Sequence, residues 1–236
     1  MHHDQRAGSE PVRPRVAVID DGALTRHQFQ PAFPELDVVG TFATVDAFLS
    51  EAPGVDLVVL DLMLSTNAQD GSVLQGPAAI RLLTRRGYRV CLYTDERRPL
   101  VLAHCLAAGA TGLTRKSDDL PLTNNAFIRA ARGEAVVARS IVGLAELLSR
   151  RGQLPELTPR QTQVLAGRAR GEDWKSIARR LGITTATATD HLEKVVNKTV
   201  LYLHAAGLDP DASPADIEHA LGLTPGDLMD PAGRHY

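Results

Sequence analysis

Val16-Ala17-Val18-Ile19-Asp20-Asp21 decides the fold. Four consecutive apolar residues suit a strand covered on both faces, and the two carboxylates stand where such a strand ends. Two further runs repeat the form: Leu57-Val58-Val59-Leu60 before Asp61, and Val90-Cys91-Leu92-Tyr93 before Thr94. A weaker strand at Asp37-Val38-Val39-Gly40 and another near Thr111-Gly112-Leu113-Thr114, which leads to Lys116, bring the number to five. The segments between them are long enough for crossover helices, expected over roughly 24–33, 44–52, 76–86, 99–108 and 122–132. The fold class is therefore α/β, a five-stranded parallel doubly wound sheet, followed by a second, all-α domain. Order is expected to begin at Arg15, after a polar lead with Pro11 and Pro14.

In an open parallel sheet the ligand site lies beyond the carboxyl ends of the strands. Asp20, Asp21, Asp61, Thr94 and Lys116 all fall there. Crowded carboxylates repel one another unless a cation joins them, and hard oxygen ligands in this number suit Mg²⁺. The hydroxyl of Thr94 and the ammonium of Lys116 supply donors for phosphoryl oxygens. Asp61, alone at the tip of a buried strand, is the candidate nucleophile for a phosphoryl group.

The pattern Ile19-Asp20-Asp21, Leu60-Asp61, Tyr93-Thr94 and Gly109-Ala110-Thr111-Gly112 leading to Lys116 resembles the receiver domain of two-component response regulators, over roughly residues 15–136. The resemblance implies a flavodoxin-like receiver. It also implies that Asp61 takes its phosphoryl group from a histidine kinase, that Asp20, Asp21 and Asp61 with the Met63 carbonyl surround Mg²⁺, and that Thr94 and Lys116 bind the phosphoryl oxygens. Three features depart from the family pattern: a long segment from Met63 to Gly76-Pro77, Ser117 directly after Lys116, and Leu113 where an aromatic switch residue often stands. Asp20-Asp21-Gly22 also resembles the start of a haloacid-dehalogenase phosphatase motif, but that motif separates its carboxylates by one residue and here they are adjacent. The plain alternative is that these are ordinary polar residues at strand ends.

The formal charge of −2 conceals a segregation. Residues 1–154 hold 17 basic and 17 acidic side chains, residues 155–203 hold 8 and 5, and residues 204–236 hold 1 and 6. Phosphate contacts dominate nucleic-acid affinity, so the middle segment is the electrostatic candidate for binding DNA or RNA. Ahead of it, Arg139–Arg151 has apolar residues at helical spacing and reads as a linker helix, its stripe packing against the first domain or a partner copy. Leu157-Thr158-Pro159-Arg160-Gln161 is a helix start in which Thr158 caps, Pro159 occupies the first turn and Gln161 completes a capping box. A second helix from Trp174 to Leu181, the turn Gly182-Ile183 and a third helix from Thr184 or Thr185 give a helix-turn-helix pattern.

This stretch, with Ile177-Ala178, Leu181-Gly182-Ile183 and Thr187-Ala188-Thr189-Asp190-His191, resembles the LuxR-type DNA-binding domain; sigma-factor region 4 shares much of the pattern. At about 100° per residue, Ala188, Leu192, Val195, Val196 and Thr199 share the inner face of the third helix. Thr187, Asp190, Lys194, Asn197 and Lys198 face outward, toward a major groove of double-stranded DNA, and Thr185, Thr189 and His191 reach the backbone at the helix start. Alternatively, the three helices form a bundle with a solvated polar face. The family's break before a fourth helix is missing, since Asn197–Ala206 continues without interruption. An acidic extension follows from Gly207, with a short helix opening at Ser213-Pro214-Ala215-Asp216. Three roles are open for it: a cover for the basic module, a dimer contact, or a solvated tail.

The remaining composition is that of an ordinary globular protein: 236 residues, 44% hydrophobic and 23% charged. No run of about 18 apolar residues exists to cross a bilayer, and the first residues lack the apolar core of a signal peptide, so a cytoplasmic location is expected. Cys91 and Cys105 are too few for a disulfide framework or a cysteine zinc site and are expected to be buried thiols. The histidines show no metal-ligand spacing. The expected organisation is a lead (1–14), a receiver (15–136), a linker helix (137–154), a DNA-binding domain (155–206) and an acidic extension (207–236). The expected function is a homodimeric transcription factor and not an enzyme. Its rivals are a phosphorylation-independent receiver acting through a ligand or protein, and a Mg²⁺ phosphatase.

Overall fold

The computed structural model describes residues 12–64, 74–137, 140–154 and 156–228. The first domain alternates strands and helices: β1 (Arg15–Ile19), α1 (Ala23–Ala32), β2 (Asp37–Phe42), α2 (Val45–Glu51), β3 (Leu57–Leu60), α3 (Gly76–Arg85), β4 (Val90–Thr94), α4 (Pro99–Ala107), β5 (Gly112–Arg115), α5 (Leu120–Ala131) and β6 (Val136–Val137). The strands form one parallel sheet in the order β2-β1-β3-β4-β5-β6. The strand order reverses between β1 and β3, which opens a crevice at their carboxyl ends. The sheet has six strands where the sequence predicts five, because β6 is a two-residue extension pairing Val136 with Gly112. So short a strand carries no periodicity to read.

β1, β3 and β4 are buried nearly throughout, as their unbroken apolar runs require. One face of the sheet is covered by α1 and α5 around Phe29, Phe33, Tyr93 and Phe127, whose rings pack 4.7–6.2 Å apart. Gly112 lets β5 approach β4: a Cβ there would stand 2.7 Å from the Cys91 sulfur. Both cysteines are buried free thiols, and burial pushes the Cys91 thiol up to about 12. On the other face lies α4, whose residues Leu102 to Ala107 are all buried. A helix apolar all round must be covered all round. The sheet covers α4 from one side, and the helices that follow cover it from the other.

Those helices are α6 (Ser140–Arg150), α7 (Pro159–Ala169), α8 (Trp174–Leu181), α9 (Thr185–Ala206) and α10 (Pro214–Ala220). The apolar stripe of α6 packs on α4, α7 and α9, so it is covered within the same chain, by the first domain through α4 and by the second through α7 and α9. The Thr158–Gln161 capping box starts α7, and Gly182, at φ 64° in the left-handed region, makes the turn between α8 and α9. α9 runs unbroken for 22 residues, as the sequence predicts. Its first half packs on α7 and α8 through Ala188 and Leu192, and its second half reaches α4. Residues 208–228 are not a solvated tail. Leu208, Ile217, Leu221, Leu223 and Leu228 are buried in the same apolar cluster as α4 and α6. His104 Nε2 of α4 lies 2.5 Å from the Asp209 carbonyl, the Tyr202 hydroxyl donates to the Leu221 carbonyl, and Arg151 pairs with Asp227 at 2.5 Å. The expected polar lead through Pro11, Ser65–Val73 of the long loop, Arg139 of the linker helix and the tail from Met229 lie outside the described residues.

Candidate functional site

Asp20 and Asp61 follow the last residues of β1 and β3, and Lys116 follows β5. Parallel neighbouring strands carry these ends to one edge, so residues 41 and 55 positions apart meet. Lys116 Nζ lies 2.8 Å from Asp20 Oδ2 and 2.8 Å from Asp61 Oδ2. Carboxylate oxygens of Asp20, Asp21 and Asp61 all lie within 4.8 Å of one another. Asp20 is 2% exposed and Asp61 7% exposed, so both charges are largely removed from water. Burial pushes the Asp61 carboxyl above its ordinary value, Lys116 pulls it back, and the charge of Asp20 adds to the rise. Burial also works against the charged form of Lys116, but its bonds to Asp20 and Asp61 outweigh this and raise its pKa. The Lys116 ammonium thus bridges Asp20 and Asp61, with the Asp21 carboxylate beside them. This hard-oxygen set fits a small divalent cation by its chemistry.

Thr94, 1% exposed, closes β4 beside this cluster; its hydroxyl accepts from the Glu96 amide at 3.3 Å and its carbonyl from the Lys116 amide at 3.4 Å. The Met63 amide donates to Asp61 Oδ1 at 3.5 Å while its side chain points to solvent, 62% exposed. Two positioning residues escape the sequence reading. Arg26 Nη1 donates to the Asp20 carbonyl at 2.6 Å, and Gln75 Oε1 accepts from the Leu64 amide at 3.2 Å, joining the two described ends of the long loop. Gln75 stands one residue before Gly76-Pro77, a helix start legible in sequence, but which carbonyl or amide its side chain finds is not. Leu113, 1% exposed, is an ordinary core residue of β5.

On α9, Thr185, Thr187, Asp190, Lys194 and Asn197 are exposed, and Thr189, His191 and Lys198 are half-buried. Thr184 caps the helix through the Thr187 amide, and the Thr189 hydroxyl donates to the Thr185 carbonyl. Asp190 and Lys194 pair at 2.8 Å across one turn. Lys198 differs from its expected outward role: its Nζ donates to the Glu156 carbonyl at 2.6 Å and approaches Gln161 Oε1 at 3.4 Å, bracing the start of α7. The neighbouring Glu193 pairs with Arg129 of α5 at 3.0 Å, and His204 Nε2 lies 3.2 Å from the Ala110 carbonyl. These two polar contacts join the packing on α4 in holding α9 to the first domain.

Comparison with known proteins agrees with this two-part architecture. The family described as bacterial regulatory proteins, luxR family, matches residues 155–202. The response regulator RamR of Streptomyces coelicolor is 30% identical over 191 residues, which cover 78% of this chain and 88% of RamR. The probable transcriptional regulatory protein NarL of Mycobacterium tuberculosis is 28% identical over 199 residues, 80% of this chain and 89% of that protein. Among solved structures, RcsB of Salmonella enterica serovar Typhimurium, bound to promoter P1flhDC in the presence of phosphomimetic BeF3−, shares the fold. Its TM-score is 0.51 at 18% identity, over 82% of this chain and 97% of that one. The chain belongs to the response regulators, with a receiver followed by a LuxR-type helix-turn-helix domain.

Proposed function

We propose that this protein is a cytoplasmic, homodimeric transcription factor switched by phosphorylation of Asp61, and that it regulates rather than turns over a substrate. No helix among the described residues is long and apolar enough to cross a membrane. The observation that carries the reading is the Lys116 ammonium held 2.8 Å from both Asp20 and Asp61 at the carboxyl edge of the sheet. In the reaction, a carboxylate oxygen of Asp61 bonds to phosphorus as the bond from phosphorus to a kinase histidine nitrogen breaks, and the imidazole keeps the electron pair. Lys116 then exchanges its contact with Asp61 for a phosphoryl oxygen, and the Thr94 hydroxyl donates to another. Asp20, Asp21, Asp61 and the Met63 carbonyl would hold Mg²⁺. When bound, the ion offsets the charge of the carboxylates and the incoming phosphoryl oxygens.

The receiver comprises residues 15–136 and the DNA-binding domain residues 155–206, with α6 between them and residues 207–228 closing over α4. DNA contact falls to the outward face of α9. Lys194 and Asn197 serve groove edges and phosphates, Thr185, Thr187, Thr189 and His191 serve the backbone and thymine methyls, and Asp190 tunes Lys194 by pairing with it. Lys198 supports the domain from within. Phosphorylation shifts a two-state equilibrium in which the Arg129–Glu193 and His204–Ala110 contacts hold α9 to the receiver. The test is fluorescence anisotropy on a mixed-sequence duplex over a range of salt. The reading expects affinity to fall steeply and linearly on a log–log plot, with a slope about one unit shallower in Lys194→Gln. Absence of salt-dependent binding would overturn the DNA assignment.

A further inference from the structure

Residues 208–228 are fastened to the rest of the chain by contacts of two kinds. Leu208, Ile217, Leu221, Leu223 and Leu228 are buried in the apolar cluster that includes α4, and α10 packs on α4 itself. Polar contacts hold the segment at three further places: His104 of α4 at the Asp209 carbonyl, the Tyr202 hydroxyl of α9 at the Leu221 carbonyl, and Arg151, just after α6, at Asp227. The acids of the segment are engaged by its own backbone. Asp209, Asp216 and Asp227 accept from the Asp211, Ser213 and Thr224 amides at 2.8–3.1 Å. The buried Glu218 accepts from the Gly226 and Leu228 amides at 2.9 and 2.8 Å. A carboxylate on a nearby backbone amide closes a turn, so these charges shape the segment.

The helix under this segment begins next to the phosphoacceptor edge. The Glu96 amide donates to the Thr94 hydroxyl at 3.3 Å, and the Glu96 carboxylate accepts from the Arg97 and Arg98 amides at 2.8 Å. The Arg98 carbonyl in turn accepts from the Leu102 amide, which ties the same loop to the first turn of α4. A Thr94 side chain that rotates toward a phosphoryl oxygen gives up the Glu96 amide and disturbs that start. Packed interfaces move between discrete arrangements and do not deform continuously, so α4 shifts only if its outer cover lets go.

We propose that residues 208–228 are an intramolecular clasp on α4 that holds the unphosphorylated arrangement, and that phosphorylation opens it through Thr94, Glu96 and the start of α4. This rests on the phosphorylation of Asp61 proposed above. Opening uncovers the outer face of α4 and loosens the second half of α9, which packs on the same helix. Coupling between two sites is reciprocal, so weakening the clasp strengthens the binding of a phosphoryl analogue at Asp61 by the same factor.

The test is hydrogen exchange of the full chain read by mass spectrometry, with and without Mg²⁺ and beryllofluoride as the phosphoryl analogue. Wild type, Asp61→Asn and Tyr202→Phe are compared; the last keeps the ring and removes the hydroxyl that donates to Leu221. Beryllofluoride should speed exchange in 208–228 and α4 by about tenfold in wild type and leave Asp61→Asn unchanged. Without it, Tyr202→Phe should exchange 208–228 about fivefold faster, the effect of one lost hydrogen bond, with β1 and β3 unaffected. The same variant should bind beryllofluoride about fivefold more tightly than wild type. If Tyr202→Phe loosens β1 and β3 as well, Asp227→Asn, which releases Arg151, takes its place. Protection at Asp61–Met63 and Lys116 on adding beryllofluoride, with 208–228 unchanged, overturns the clasp and leaves the reading of Asp61 standing. No response at either place overturns both. Unchanged exchange of 208–228 in both variants, or faster exchange there with wild-type affinity for beryllofluoride, overturns the clasp as well.

Discussion

Replacing Leu221 with alanine tests whether the C-terminal segment is structural. Leu221 is 0% exposed, sits in the apolar cluster shared with α4 and α6, and its carbonyl accepts from the Tyr202 hydroxyl at 3.0 Å. The substitution removes three carbons, at about 0.8 kcal/mol each on transfer. With a cavity left behind, the total is about 3 kcal/mol. In a chain of this length each kcal/mol moves the unfolding midpoint by roughly 2–4 °C, so a fall of roughly 6–12 °C is expected. The control is Leu201→Ala, a leucine of α9 that is 66% exposed and whose loss should cost under about 0.5 kcal/mol. Thermal unfolding followed by circular dichroism reads both variants on the same scale. If Leu221→Ala unfolds where Leu201→Ala does, residues 208–228 do not form part of the core and the account of α4 as a doubly covered helix fails.

Other outcomes follow from the same contacts. Thr158→Ala breaks the capping box at the start of α7 and should cost about 1 kcal/mol of stability, read from the urea midpoint; no change would mean that water replaces the cap. The hydrogen bond from Arg151 holds the Asp227 carboxyl below its ordinary range, so its contribution is present above the ordinary aspartate value and is lost as pH falls through the lower folded value. Urea midpoints from roughly pH 5 down to pH 2 should therefore fall more steeply in wild type than in Asp227→Asn, and parallel curves would remove the pair from the account. Asp190→Asn frees Lys194 and removes a negative charge from the outward face of α9, so affinity for duplex DNA should rise by roughly fivefold, on the order of 1 kcal/mol. Weaker binding would mean that Asp190 itself reads a base.

Much of this architecture is visible along the chain because burial on both sheet faces forces continuous apolar runs. Val16–Ile19, Leu57–Leu60 and Val90–Tyr93 announce themselves, and the acids that follow them mark the working edge. The helix starts at Thr158 and Ser213 are equally legible, since a capping box is a local contact between residues three apart. Contacts between distant segments leave no such mark. Nothing near Lys198 announces that it reaches the Glu156 carbonyl, nor does the sequence around Arg129 name Glu193 as its partner. The acidic count of the C-terminal segment hides its five buried aliphatic residues, which are spaced irregularly through turns and give no period. One signal is legible in the sequence: apart from His104, Pro99–Ala107 is apolar around its circumference, and such a helix requires a second cover beyond the sheet. β6 lies below what a pattern can resolve.

On the function proposed above, Asp61 accepts a phosphoryl group in a pocket completed by Asp20, Asp21, Thr94 and Lys116. Intact-mass measurement of wild type and Asp61→Asn, after incubation with Mg²⁺ and a small phosphoryl donor such as acetyl phosphate, tests it most directly, with oligomeric state read on the same samples. One added phosphoryl group is expected on wild type alone, labile as an acyl phosphate, accompanied by a shift toward dimer. An unmodified wild type, or an equal adduct on Asp61→Asn, would contradict it.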